Sequence, residues 1–208
     1  MKISTRIYLD AALQNIKSVT FFTFLGVLIA RLGASNFEIV LSNSLPALFC
    51  ALSLAFLTRQ LPVTRGVFLV SGYIRQFAFL CMALSVLLPH PIPFILFFWA
   101  VNAVAVMVTG AQQPAILRRW VKPSEFPAIF SRNKIIGIGI ITLGSFVIGS
   151  FLDKTEAWFP NNFLLSMLIG CFATFTGMAL IAGLAPKEKI RVKLTWVRPF
   201  KDCDRTTW

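Results

Sequence analysis

Six long apolar runs dominate the chain, and short polar breaks separate them. The runs cover about 10–30, 37–57, 67–88, 94–116, 135–152 and 163–184. A helix needs about 20 mostly apolar residues to cross a bilayer, so each run predicts one transmembrane helix. The stretch 18–30 alone is short for this, so the first span must take in Leu13, Ile16 and the polar residues around them. His90, Pro91, Ile92 and Pro93 close the third run with a turn, because proline lacks the N–H a helix interior needs. In hydrocarbon every backbone amide needs an internal partner, which leaves helices or closed barrels. The runs are too long and too evenly apolar for barrel strands, which alternate. The pattern predicts an all-α membrane protein, a six-transmembrane-helix bundle over 1–186, followed by a basic cytoplasmic tail over 187–208.

Composition agrees with lipid as the solvent. Of 208 residues, 57% are hydrophobic and 13% charged, with 21 Phe. A soluble domain carries about 25% charged residues. The net charge of +12 would suggest nucleic acid in a soluble chain, but here the basic residues lie between apolar runs. Membrane topology accounts for them, and no nucleic-acid partner is expected. With the N-terminus inside, sixteen Lys and Arg fall on the inner side. They are Lys2, Arg6, Arg59, Arg65, Arg118, Arg119, Lys122, Arg132 and Lys134, with seven more in the tail. Only Arg31 and Lys154 fall outside, and Lys17 and Arg75 lie within spans. This bias predicts a multi-pass protein of the cell inner or plasma membrane with both termini cytoplasmic. The inner loop 118–134 holds Pro123 and Pro127 among its basic residues and predicts a short interfacial segment. No cleaved signal peptide is read at the start.

An ionisable group inside a span costs roughly 2.5–3.5 kcal/mol on insertion scales and so asks for a reason. Asp10, Gln14 and Lys17 recur at helical spacing on one face of the first span, with Asn15 beside them. They line a cavity, or else Asp10 sits among headgroups and Lys17 snorkels. Glu38 opens the second span, where it suits a helix N-terminus or couples protons. Arg75 lies near mid-depth in the third span, as a structural clamp or a coupling group. Asn43, Asn102, Gln112 and Gln113 either bond across helices or face a solute. In the fifth span Gly137, Gly139, Gly144 and Gly149 predict a close-packing face. Pro46 should bend the second span or free a carbonyl. The single histidine, His90, stands alone, and the motifs of metallopeptidases, serine hydrolases and P-loop enzymes are missing. Cys50, Cys81, Cys171 and Cys203 form no CxxC pair. No enzymatic activity, cofactor or metal is expected.

The pattern resembles the N-terminal half of a major facilitator superfamily transporter. Ala30-Arg31-Leu32-Gly33-Ala34-Ser35-Asn36-Phe37-Glu38-Ile39, followed by Leu45-Pro46-Ala47-Leu48, looks like the first outer loop and second helix of bacterial members. The family's loop after the second helix reads G-x-x-x-D-R-x-G-R-[KR]. Here Thr58-Arg59-Gln60-Leu61-Pro62-Val63-Thr64-Arg65-Gly66 keeps basic residues but lacks the Gly and the Asp. The fifth span resembles the family's glycine-rich helix without its proline. The resemblance implies a 3+3 inverted repeat. It also implies that the first and fourth helices line the solute pathway, with Gln14, Asn15, Lys17, Asn102, Gln112 and Gln113 as candidates. Arg75 then moves toward a structural role. Arg198-Pro199-Phe200-Lys201-Asp202 looks like the linker entering a seventh helix. Members have about twelve helices, so the expectation is transport of a small solute, with proton coupling open, by half of a secondary transporter. The chain is then a truncated product, or it pairs with a second six-helix half. The alternative is a non-transporting membrane scaffold, assembly subunit or inert fragment.

Overall fold

The computed structural model describes residues 3–57, 61, 62, 64–118 and 121–183. Lys2, Thr58, Arg59, Gln60, Val63, Arg119, Cys203 and the whole tail 187–208 lie outside them. Six helices form, each long and apolar enough to cross a membrane, and no strand occurs among the described residues. They are α1 (Ile3–Arg31), α2 (Asn36–Leu57), α3 (Arg65–Ser85), α4 (Pro91–Leu117), α5 (Phe126–Lys154) and α6 (Asn161–Ala182). Large apolar side chains cover their outer faces, among them Phe146 at 80% exposure and Phe172 at 77%. Patches of this kind are rare on soluble monomers, so the outer surface suits lipid. The chain is a membrane-embedded helical protein.

Local chemistry sets the helix ends. Ser35 and Glu38 form a reciprocal cap on α2: Glu38 N donates to Ser35 Oγ at 3.3 Å and Ser35 N donates to Glu38 Oε2 at 2.8 Å. Thr64 caps α3 by accepting from Val67 N at 3.2 Å. Pro91 stands in the first turn of α4, where its missing N–H costs nothing. Two helices extend well beyond their apolar runs. α1 begins at Ile3 rather than near Asp10, and α5 begins at Phe126 rather than near Ile135. Most of the expected interfacial part of the loop 118–134 is therefore the first two turns of α5.

α1 is not uniform. A wide π turn, Ser18–Phe22, follows the α-helical stretch Ile3–Lys17. After a break at Phe24 the α-helix resumes over Leu25–Arg31. In α2, Pro46 has no N–H for the carbonyl of Ser42, four residues earlier. That oxygen instead accepts a hydrogen bond from Trp99 Nε1 of α4 at 2.8 Å. The proline thus creates an acceptor that fastens α2 to α4.

α1 packs on α5 and α6, α4 packs on α2 and α3, and α3 packs on α6. Half of the most apolar stretch of α4 and of α6 is buried, against 11% of α2 and of α5. The outer helices are therefore α2 and α5. The core has two apolar ends. Phe21, Leu28, Ile29, Phe79, Met82, Ile95 and Met167 fill the end that holds the Arg31–Glu156 ion pair (3.1 Å). Phe68, Ile116, Met178 and Ile181 close the other, which carries most of the basic residues. Between these two plugs the interior is polar.

Candidate functional site

The polar layer starts from the face of α1 where Asp10, Gln14 and Lys17 recur every four and three residues. Gln14 is its hinge. Its Nε2 donates to Asp10 Oδ1 at 3.2 Å, and its Oε1 accepts from Arg75 Nη2 of α3 at 2.7 Å. One neutral amide thus stands between a carboxylate and a guanidinium and satisfies both. Asp10 is only 5% exposed and Lys17 only 4%, so both side chains are enclosed within the bundle. The Lys17 ammonium has no hydrogen bond or ion pair among the described residues, although its backbone carbonyl accepts from Thr20 Oγ1 at 3.4 Å. The ammonium instead lies over the rings of Phe22, at 5.1 Å from the centroid, and Phe79, at 5.4 Å. Aromatic faces attract a cation through their quadrupole, most strongly away from water.

α3 and α4 supply the opposite wall. The hydroxyls of Ser71 and Thr109 are 3.1 Å apart and join the two helices. A cavity of about 30 Å³ lies between Asp10, Gln14, Arg75, Thr109 and Gln113, with Phe68 and Met178 beneath it. It has room for a water molecule and offers enough polar partners to hold one.

Two glycines of α6 bring α1 close enough for this. A Cβ on Gly177 would stand 2.9 Å from Asp10 Oδ1 and 3.4 Å from Gln14 Nε2. A Cβ on Gly170 would collide with Thr20 Oγ1 and stand 3.4 Å from Lys17 Cα. The two are seven residues apart, two helical turns, and match the polar face of α1 turn for turn.

Several buried polar atoms have no partner among the described residues: Arg75 Nε, both amide atoms of Gln76, Asn102 Oδ1 and Gln112 Oε1. Gln76 is fully buried, Asn102 is 1% exposed and Gln112 is 4% exposed. An unmet buried group costs about 1–3 kcal/mol, so α3 and α4 present hydrogen-bonding capacity the protein itself does not use.

The other sequence candidates divide. Gln113 lines the cavity. Asn15 turns away from it: its Nδ2 donates to Ala11 O at 2.6 Å and faces Gly137 of α5. Gly144 faces Val19 and Gly149 faces Phe24, so three of the four α5 glycines meet α1, while Gly139 meets open space. Glu38 is half-buried and engaged in its cap, and Asn43 is exposed and bonds within its own helix to Ile39 O at 3.3 Å. Sequence reasoning missed Gln76, Gly170 and Gly177. The seven-residue spacing of the glycines was a usable signal; nothing in the sequence marked Gln76. Among the described residues no three His, Cys, Asp or Glu gather as a metal site would need. The layer can hold a water molecule by hydrogen bonds, and the unpartnered amide atoms of α3 and α4 offer further donors and acceptors. No protein-family model matches the chain, and no curated protein or solved structure matches it.

Proposed function

We propose that the protein moves a small polar solute across the cell inner or plasma membrane, as one six-helix bundle of a major-facilitator-type secondary transporter. Both termini face the cytoplasm in this reading, as the split of basic residues favours. The observation that carries it is the Asp10–Gln14–Arg75 set, with Asp10 buried and Gln14 and Arg75 half-buried, joining two apolar spans beside a cavity. Charges at such depth are costly and usually mark solute or proton routes. Helix packing supports the 3+3 inverted repeat. Exchanging the first three helices for the last three turns the α1–α6 contact into α4–α3, and α1–α5 into α4–α2. It leaves α3–α6 unchanged. Two such repeats make one bundle, and the solute route of this architecture runs between two bundles. A second copy or another six-helix chain provides the other wall.

The test is solute-evoked proton or charge movement in proteoliposomes, with sugars, amino acids, organic cations and organic anions offered in turn. At least one class should give a signal that Gln14→Leu abolishes. No signal from any class, with the chain alone or with a six-helix partner, would overturn the proposal. The small cavity favours a second reading, in which the polar layer is a clamp inside a membrane scaffold. That reading predicts that a stable apolar replacement of the layer leaves every activity intact.

A further inference from the structure

The first turns of α5 carry a charged surface that solute movement does not explain. α5 has 29 residues, about 43 Å at a rise of 1.5 Å per residue. The hydrocarbon core is about 30 Å thick, and the apolar part 135–152, about 27 Å long, nearly spans it. The part 126–134 therefore projects into the headgroup layer. It is firmly held there, because Phe126 and Ile129 pack on the buried cluster of Ile7, Leu117 and Val121. Phe126 and Phe130 stack with centroids 6.4 Å apart and planes at 16°. Arg118 lies over the Phe126 ring at 5.7 Å and Lys134 over the Phe130 ring at 5.6 Å. Lys122 and Arg132 are exposed nearby in the chain, and Glu125 is the only carboxylate in 118–134. Among the described residues the one ion pair is Arg31–Glu156, at the other end of the bundle. Among the described residues these cations thus have no carboxylate partner, and Phe130 offers an apolar face at 52% exposure beside them.

We infer that this surface binds the headgroups of anionic phospholipids, with Arg118 at the Phe126 end of the ring ladder and Lys134 at the Phe130 end each meeting phosphate, and Phe130 meeting an upper acyl chain. Acyl contact requires a lipid rather than a free anion. The rings also hold both cations in place before the lipid arrives, which lowers the ordering cost of binding.

The test uses the full chain in vesicles of phosphatidylcholine with a minority of phosphatidylglycerol, extracted gently, with retained lipid measured by mass spectrometry. Each basic residue near an anionic surface contributes about fivefold to binding. The wild type should retain phosphatidylglycerol preferentially, and Arg118→Gln with Lys134→Gln should lower that preference roughly tenfold or more. Phe130→Ser should weaken retention at unchanged charge. Arg118→Lys with Lys134→Arg should retain the preference, and so should Lys154→Gln at the opposite end. Unfolding curves in detergent separate loss of the site from loss of the fold. Equal retention of both lipids by the wild type, or an unchanged preference in the double Gln variant, would overturn the inference. Displacement of the lipid by inorganic phosphate alone would overturn the assignment to a lipid. None of these readouts depends on solute movement.

Discussion

Replacing Gln14 with Leu separates the contribution of the polar layer from that of simple packing. The volumes are similar, so the change removes two hydrogen bonds and opens little space. Neutral hydrogen bonds between membrane helices average about 0.6 kcal/mol, because the unfolded helices find other partners in the bilayer. The two bonds of Gln14 differ, since each has a charged partner: Asp10 at 3.2 Å and Arg75 at 2.7 Å. Charge-assisted bonds contribute about 1.5–3 kcal/mol each. Losing one partner of a buried charged set costs about 3–5 kcal/mol, because the remaining charges stay buried. Asp10 is 5% exposed while Arg75 is half-buried, so the penalty falls mainly on Asp10. We therefore expect Gln14→Leu to cost about 3 kcal/mol. The assay is reversible unfolding in mixed micelles, with Asn43→Leu as the control, because Asn43 bonds only within its own exposed helix face. A double-mutant cycle with Arg75→Leu should give a coupling of about 1–2 kcal/mol between the two positions. A cost for Gln14→Leu below about 1 kcal/mol, equal to the control, would refute the relay described here.

Further expectations follow from single contacts. Gly177→Leu should destabilise by about 1–3 kcal/mol because its Cβ would stand 2.9 Å from Asp10 Oδ1, while Gly139→Ala, in open space, should stay within about 0.5 kcal/mol in the same unfolding assay. Trp99→Phe should cost about 1–2 kcal/mol by orphaning the Ser42 carbonyl, and Pro46→Ala should largely remove that cost by restoring an N–H to it; equal costs in both backgrounds would refute the link. Lys17→Met should raise stability by about 1–4 kcal/mol, since a buried cation without a hydrogen bond gives way to an apolar chain of similar length, and it should abolish solute movement in proteoliposomes. Glu38→Ala should cost about 1 kcal/mol through the lost cap and leave proton movement unchanged.

The six helices were legible because lipid demands long apolar runs, and prolines and charges mark their breaks. The α1 face was legible for the same reason: Asp10, Gln14 and Lys17 obey the helical period whatever packs against them. The start of α5 was not. Arg132, Asn133 and Lys134 interrupt the apolar run, but a helix continues through polar residues once it has left the hydrocarbon. Arg75 was visible as a charge at depth, yet its partner Gln14 is 61 positions away, and only the α1–α3 approach brings the two together. The same holds for Trp99 and Ser42, where proline predicted a free carbonyl but not its donor. The α5 glycines drew attention by number. The two in α6 that meet the polar face are fewer, and only the close passage of α1 reveals their role.

The wide turn Ser18–Phe22 holds one residue more than an ordinary turn, and its wider winding absorbs that residue locally. Removing one position there should restore regular winding and leave the carboxylate at position 10 facing its present neighbours. Removing one position from the regular stretch Ile3–Lys17 would instead turn everything ahead of the cut by about 100°. A single deletion is thus tolerable in this one turn and not in the helix before it.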